Sequence, residues 1–431
     1  MSDAFGESLS ITAATVDPAL LDLPWSLPLE QWTSEHIAAL PKGISRHIVR
    51  FANLSGYVIA VKETSADLAQ REYDMLRTLQ RLEVPCVEPL AVIQGRTDEN
   101  GAPLETALVT RHLRFSLPYR ALFSQMLRPD TATRLADALA LLLVRLHVIG
   151  FFWGDVSLSN TLFRRDAGAF AAYLVDAETG KLYQGGLSKG QRENDLEVAR
   201  VNIAGELMDL AAGGHVDEDL DPLVTSERIV SQYRMLWNEL TGRESFSSAE
   251  RWRINQRVDR LNTLGFDIEE LSIRTAEHGS EVVIQPKVVD AGHHTRRLLR
   301  LTGLDAEENQ ARRLLNDLDQ WRHAFGKGHL DEEMAAHEWV AGVFEPVIRA
   351  IPRELRGKLE SAEIFHQVLE HRWFMSERQS RDVPLAEALN SYVEEILRHR
   401  RDEAALLEPV TGGLAVPTRI SAGPEDWRAT V

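Results

Sequence analysis

The sequence predicts an α+β protein, with a first part that combines strands and helices and a second part that is mainly α-helical with one small β-hairpin. Three observations predict this class. Apolar and polar residues alternate with period two in 46–63, and apolar residues take helical spacing in 66–83. After residue 190 the pattern is mostly helical, apart from strand-like segments within 267–287. The 431 residues, 44% of them hydrophobic, suffice for about two or three globular units.

Composition changes along the chain predict the domain boundaries. Residues 1–40 are rich in Pro, Leu and small polar residues, which indicates a loosely packed N-terminal lead-in. A polar segment, T-G-R-E-S-F-S-S near residue 245, separates a first domain over 41–245 from a second over 246–408. The Gly- and Pro-rich residues 409–431 are expected to form a flexible tail.

Charge and cysteine usage narrow the class of protein. With 48 basic and 65 acidic residues, the net charge of −17 disfavours bulk adhesion to nucleic acid or to an anionic membrane, although a local basic patch could bind either. Cys86 is the single cysteine, so an internal disulfide and a cysteine-rich zinc cluster are excluded, which fits a reducing compartment. Residues 1–40 lack a targeting signal, and no uncharged apolar stretch approaches the ~20 residues that cross a bilayer. We therefore expect a cytoplasmic protein without a membrane span.

The first element is a β-hairpin formed by 46–53 and 57–63 around a turn at 54–56. Because side chains alternate along a strand, Ala60 and Lys62 share one face of the second strand. Opposite them, Ile59 and Val61 share the other face.

A helix over 66–83 follows the hairpin. Glu72 lies on the apolar stripe of this helix, between Leu68 and Leu76. A carboxylate in that place needs a partner, because burying an unpaired charge costs several kcal/mol. Lys62 is the candidate partner; the alternative is that Glu72 lies at the edge of the stripe and is solvated.

Three polar residues stand out farther along the chain. Strand-like runs at 87–93 and 106–110 are followed by a strongly apolar helix that ends at Gly150, and then by the loop F-F-W-G-D-V-S-L-S-N-T-L-F (151–163). This loop is polar at its centre, where Asp155 and Asn160 lie five residues apart, and apolar at both ends, which suits a rigidly held functional loop. Asp176 directly follows a short apolar strand over 172–175, where an acidic residue binds a metal or caps a turn.

Together these residues carry a family resemblance. Their order along the chain resembles that of the protein-kinase-like fold. That order is a Lys on a strand, a Glu on a helix, a loop Asp with an Asn five residues later, and an Asp after a buried strand. The segment L-H-V-I-G-F-F-W-G-D-V-S-L-S-N (146–160) is similar to bacterial lipopolysaccharide-kinase-like proteins, including a set that carries a C-terminal domain of unknown function. The short A-V-K (60–62) and L-V-D-A-E (174–178) resemble the kinase lysine strand and the strand that enters D-F-G. The kinase resemblance covers about residues 45–240.

The resemblance implies a two-lobed protein-kinase-like domain and an ATP- and Mg²⁺-dependent phosphotransferase with an alcohol group as acceptor. It implies that Lys62 holds the α- and β-phosphates and is oriented by Glu72, and that Asp155 is the catalytic carboxylate. Other implied roles are Mg²⁺ ligands at Asn160 and Asp176, and adenine-sandwiching positions at Ala60 and Leu162. Asp195 resembles the helix aspartate that braces the catalytic loop; the alternative is a solvated helix charge.

Three departures from the kinase pattern leave a second interpretation open. Trp153 replaces the usual histidine of the loop, and N-L-S-G (53–56) stands where a glycine-rich phosphate loop is usual. Glu178 replaces the glycine of D-F-G, as a further metal ligand or as a group that repels phosphate. The lost glycine-rich loop and Glu178 favour a pseudokinase, a nucleotide-binding regulatory module that acts through its C-terminal domain.

A third interpretation concerns the second domain. The segment 287–300 concentrates positive charge that could contact a phosphate, nucleic acid or an acidic protein. An amphipathic helix with a solvated basic face is the simpler explanation. The basic residues are Lys287, Arg296, Arg297 and Arg300. The nearby E-I-F-H motif (363–366) and His371 lack the further ligands of a di-metal site, so His366 and His371 are interpreted as structural.

Overall fold

The computed structural model describes residues 9–14, 17–33, 37–38, 48–123, 129–214, 220–275, 281–400 and 402–403. They form two compact units, the first within 9–163 and 172–228 and the second within 164–171 and 229–403. The predicted tail over 409–431 and the turn expected at 277–280 lie outside the described residues.

The first unit begins with a five-stranded antiparallel sheet in the order β1-β4-β5-β3-β2. Its strands are β1 (Ser10–Ala13), β2 (Val49–Leu54), β3 (Tyr57–Thr64), β4 (Glu88–Gln94) and β5 (Thr106–Arg111). The helix α1 (Ala66–Arg81) packs its residues Ala69 and Tyr73 against Val92 and Leu108 of the sheet. The alternation along β3 is as predicted, because Ile59 and Val61 are fully buried in an apolar cluster on the other face.

That apolar cluster includes the N-terminal segment, which the sequence led us to expect as loosely packed. Within the described part of the segment this expectation is wrong, because Trp25 and Trp32 are each 4% exposed and Leu29 is fully buried. The two indole rings meet edge to face with centroids 5.4 Å apart. Leu and Trp at these positions therefore complete the sheet's core.

A buried arginine holds this segment in place. The Arg96 side chain is fully buried; it donates to the carbonyl oxygens of Trp25 and Leu27 at 3.1 and 2.7 Å, and to Glu63 Oε1 at 2.8 Å. Glu63 Oε1 also accepts from the Leu29 backbone N–H at 3.0 Å. Because Arg96 offers five donors in a rigid fork, it satisfies carbonyl groups that would otherwise be buried without partners.

The rest of the first unit is mainly helical, with short strands around the loop over 151–163. Gly150 ends the second long helix with φ +84°, and a Cβ there would lie 2.4 Å from the Tyr183 carbonyl oxygen, so only glycine fits. The elements in this part of the chain are β6 (Leu117–Pro118), α2 (Tyr119–Phe123), α3 (Pro129–Val148), β7 (Phe151–Phe152), β8 (Thr161–Asp166), β9 (Ala169–Leu174), β10 (Lys181–Leu182) and α4 (Lys189–Ala212). Residues 164–171 of β8, β9 and their connection belong to the second unit.

The chain enters the second unit through α5 (Pro222–Thr241). This unit is mainly helical and carries one three-stranded antiparallel sheet in the order β11-β13-β12. Its remaining elements are β11 (Glu244–Ser247), α6 (Trp252–Thr263), β12 (Phe266–Thr275), β13 (Glu281–Ala291), α7 (His293–Thr302), α8 (Glu308–Ala324), α9 (Glu332–Trp339), a π-helical turn (Val340–Phe344), α10 (Glu345–Ala350), α11 (Ser361–Gln379) and α12 (Leu385–Glu395). Trp339, Phe344 and Phe365 pack together at its core.

The α+β fold class predicted from the sequence is confirmed. The first unit combines a five-stranded antiparallel sheet and one packed helix with a mainly helical part, and the second unit is mainly helical with a β-hairpin. His366 and His371 are buried, and burial lowers the pKa of each.

Candidate active site

Lys62 of β3 and Glu72 of α1 form a buried ion pair. Lys62 Nζ lies 2.9 Å from Glu72 Oε2, and Glu72 is 2% exposed, so the alternative of a solvated Glu72 is excluded. Lys62 lies on the same face of β3 as Ala60, and Glu72 lies on the sheet-facing stripe of α1. These two faces bring the side chains together, as the residue spacing predicted.

Two carboxylates that follow β9 complete the surroundings of Lys62. Lys62 Nζ lies 2.8 Å from Asp176 Oδ2 and 3.1 Å from Glu178 Oε2. The Glu178 backbone N–H donates to Asp176 Oδ1 at 2.9 Å, which holds the short turn after the strand. All three donors of the ammonium are therefore directed to carboxylates.

The excess of negative charge at this point shifts the titration of the pair. Burial raises the pKa of Glu72 to about 7, and the charge of Asp176 adds to the shift while Lys62 opposes it. Burial disfavours the Lys62 ammonium, but the charges of Glu72 and Asp176 outweigh burial and raise its pKa above the usual value. Lys62 is thus a permanent cation in a cluster that holds more carboxylates than cations.

The loop after β7 places Asp155 and Asn160 side by side. Asn160 Nδ2 donates to the Asp155 carbonyl oxygen at 3.0 Å and to Asp155 Oδ2 at 3.2 Å. The Val175 backbone N–H donates to the Asn160 carbonyl oxygen at 3.0 Å, so Asn160 is tied to the residue before Asp176. The loop that carries Asp155 and Asn160 is therefore held next to the strand end that carries Asp176, although the two segments are about twenty positions apart in the sequence.

Asp195 braces this loop, as expected from the resemblance, and is not a solvated helix charge. It is fully buried and accepts the backbone N–H groups of Trp153 and Gly154, each at 2.8 Å. His147 Nε2 lies 3.2 Å from Asp195 Oδ2, and burial lowers the pKa of His147, which favours a neutral imidazole that donates to the carboxylate. The indole of Trp153 donates to the Asp176 carbonyl oxygen at 2.8 Å, so this replacement of histidine still links the loop to Asp176.

Sequence reasoning missed two further residues of α4 that contact the loop. Glu206 accepts the backbone N–H groups of Leu158 and Ser159 at 2.7 and 3.0 Å. Asn202 Nδ2 donates to the Val156 carbonyl oxygen at 3.1 Å and to Asp155 Oδ1 at 3.4 Å. The signal was present: Asp195, Asn202 and Glu206 are spaced by seven and four residues, which places them on one helix face.

A cavity of about 730 Å³ in the first unit contains these groups, a volume typical of small-molecule sites. Its walls include the predicted catalytic and metal-ligand residues together with the predicted adenine positions, Ala60 and Leu162. One part of the wall is apolar and another is polar. The apolar lining residues include Val49, Phe51, Ala60, Val87, Leu108, Leu162 and Val175, and the polar ones include Lys62, Glu72, Asp155, Asn160, Asp176 and Glu178.

The β2–β3 connection shows how far this site departs from a glycine-rich loop. Leu54 pairs with Tyr57, so the turn has only two residues, Ser55 and Gly56, both with positive φ (47° and 88°). Ser55 Oγ and Tyr57 Oη donate to the two carboxylate oxygens of Asp17 at 3.0 and 3.1 Å. This short, anchored turn offers few backbone N–H groups for phosphate.

Two of the four basic residues of 287–300 form ion pairs within the second unit. Arg296 pairs with Asp267 and Asp290, each at 2.7 Å, and Arg297 pairs with Glu332. Arg300 is exposed, and the side chain of Lys287 lies outside the described part of the chain. For Arg296 and Arg297, the geometry therefore favours acidic partners within the second unit over a contact with nucleic acid.

Comparisons with known proteins bear on the two parts of the chain differently. Residues 235–397 match the family model of a domain of unknown function (DUF4032), so the expected C-terminal domain of unknown function is present. The chain matches none of the curated proteins with which it was compared. Among solved structures, it is similar to WaaP in complex with acyl carrier protein, with 16% identity over 51% of this chain and 83% of that chain, at a TM-score of 0.34. Within the described ranges, no helix combines the length and apolar character that crossing a membrane requires.

Proposed function

We propose that this protein is an ATP- and Mg²⁺-dependent phosphotransferase that acts on an alcohol group. The observation that carries the proposal is the position of Lys62 Nζ, 2.9 Å from Glu72 and 2.8 Å from Asp176, in a cavity that Asp155 and Asn160 also line. Phosphoryl transfer from ATP depends mainly on positioning and on neutralising charge. A buried cation next to several oxygen ligands meets both requirements.

In this proposal the chain's residues divide between nucleotide and acceptor. Lys62 binds the α- and β-phosphates, and Glu72 orients its ammonium through the buried ion pair. Ala60 and Leu162, which line the cavity, contact the two faces of the adenine. Asp155 accepts the proton of the acceptor hydroxyl or aligns that hydroxyl for attack.

The carboxylates present fit a hard divalent cation. Glu72, Asp176 and Glu178 each offer a ligand oxygen, and these three oxygens lie within 4.8 Å of one another. Mg²⁺ prefers oxygen ligands and usually takes only one or two carboxylates from the protein. We assign Asp176 and Asn160 as its ligands; the bound ion supplies positive charge that neutralises the phosphates.

The test is formation of ADP from ATP by the purified full-length protein with Mg²⁺. Lys62→Ala and Asp155→Ala are each expected to reduce turnover by at least about 100-fold, since the first removes the cation that positions the nucleotide phosphates and the second removes the carboxylate that acts on the attacking hydroxyl. The matched controls are Lys189→Ala and Asp67→Ala, which change exposed residues outside the cavity and should leave turnover unchanged. Turnover that survives both cavity substitutions would refute the proposal.

A pseudokinase is the second candidate, and two observations favour it. Glu178 takes the third donor of Lys62, where a phosphate oxygen would bind, and the β2–β3 turn is only two residues long. Such a module would bind nucleotide without transferring phosphate and would act through its C-terminal domain on a partner. A rise in melting temperature with Mg·ATP, without any ADP formation, would select it over the enzyme.

A further inference from the structure

We propose that Asn202 is a positioning residue for Asp155, a role that rests on the proposed phosphotransfer function. Asp195, Asn202 and Glu206 form a polar stripe on α4 that contacts the loop over 153–159. Asp195 and Glu206 accept backbone N–H groups at the beginning and the end of the loop. Only Asn202 of the three is placed against the Asp155 side chain.

The chemistry of the contact determines which end of the Asn202 amide faces the loop. Both of its partners, the Val156 carbonyl oxygen and Asp155 Oδ1, are acceptors, at 3.1 and 3.4 Å. Only the NH₂ group can satisfy two acceptors, and it has one hydrogen for each. Asn202 therefore ties the orientation of the Asp155 carboxylate to the backbone of the next residue.

Asn160 makes the complementary contact on the other carboxylate oxygen. Its Nδ2 lies 3.2 Å from Asp155 Oδ2, so the two amides hold the two oxygens of one carboxylate. Because both oxygens are held, the Asp155 carboxylate has a set orientation, which a catalytic carboxylate needs in order to meet the acceptor hydroxyl.

Loss of the Asn202 amide should thus lower the rate of phosphoryl transfer without weakening the binding of the nucleotide. We expect Asn202→Leu and the isosteric Asn202→Asp to reduce kcat for ADP formation by about 10- to 100-fold, since small misplacements of a reacting group have effects of that size. The KM for ATP should stay within about threefold, because neither variant alters a proposed nucleotide contact. Glu197→Gln, on the exposed face of the same helix, is the matched control and should behave as wild type.

Hydrogen exchange of the peptide over 153–160 separates positioning from general support of the loop. Glu206→Gln, which weakens the contacts with Leu158 and Ser159, should speed exchange there. Asn202→Leu should do so much less, because the contacts of Asn202 are with a carbonyl oxygen and a carboxylate and not with a backbone N–H group. A kcat that is unchanged in both Asn202 variants would overturn the positioning role alone. So would a KM that rises in step with the loss of kcat, accompanied by exchange as fast as in Glu206→Gln. Absence of turnover in the wild type would instead remove the proposed function, and this role with it.

Discussion

The contact between Glu178 and Lys62 leads to a prediction about nucleotide binding without metal. Glu178 Oε2 lies 3.1 Å from Lys62 Nζ, and a phosphate oxygen bound to the same ammonium would lie about 2.8 Å from it. The two negative groups would then be within about 6 Å of each other, where an effective dielectric constant of about 20 gives a repulsion near 3 kcal/mol. Glu178 is 23% exposed, so we halve this value for solvent screening.

We therefore expect Glu178→Gln to bind ATP about 10-fold more tightly than wild type in the absence of divalent cations. The assay is titration calorimetry with ATP in EDTA, and the control is Glu99→Gln, which changes an exposed glutamate outside the cavity. With saturating Mg²⁺ the gain should shrink to less than about threefold, because a bound cation offsets the charge of Glu178. An affinity for metal-free ATP that stays within about twofold of wild type would refute the electrostatic reasoning.

Three further predictions concern stability and the loop. Arg96→Met should lower the free energy of unfolding by about 3–5 kcal/mol in urea titrations, because it leaves Glu63 as an unpaired buried charge. The control is Arg349→Met, which changes an exposed residue and should cost less than about 1 kcal/mol. A loss that small for Arg96→Met would contradict the prediction. Burial raises the pKa of Asp166 from its ordinary value near 4 to about 7, so the folded state binds the proton more tightly than the unfolded state. The stability attributable to this group therefore declines as pH rises from about 4 to about 7. Chemical denaturation at several pH values should therefore show a flatter profile over that window for Asp166→Asn than for wild type, and parallel profiles would count against the assignment. Asp195→Asn should lower the rate of ADP formation and speed hydrogen exchange at Trp153 and Gly154. The reason is that the carboxylate accepts one backbone N–H group on each of its two oxygens, whereas an amide has only one oxygen. Unaltered exchange at both positions would show that the loop does not depend on this carboxylate.

Local patterns in the sequence were sufficient for the elements that carry the candidate site. Alternation placed Lys62 on one face of β3, and helical spacing placed Glu72 on the sheet-facing stripe of α1. Both predictions depend only on the repeat of a strand or a helix, which is a property of neighbouring residues. The pairing of the two side chains followed from the cost of burying either charge alone.

Tertiary structure decided the features that depend on partners far along the chain. The N-terminal segment was misjudged because its Pro and polar residues gave no periodic signal, whereas its Trp and Leu side chains find their core only on a sheet formed later in the sequence. For the basic residues of 287–300 the sequence favoured a solvated helix face over a ligand contact, but the ion pairs of Arg296 and Arg297 with acidic side chains of the second unit became evident only in the structure. Likewise, the stripe of Asp195, Asn202 and Glu206 acquires its meaning from a loop some forty residues earlier. Periodicity is encoded between near neighbours, but the neutralisation of charge and the satisfaction of buried polar groups are settled only when distant segments meet.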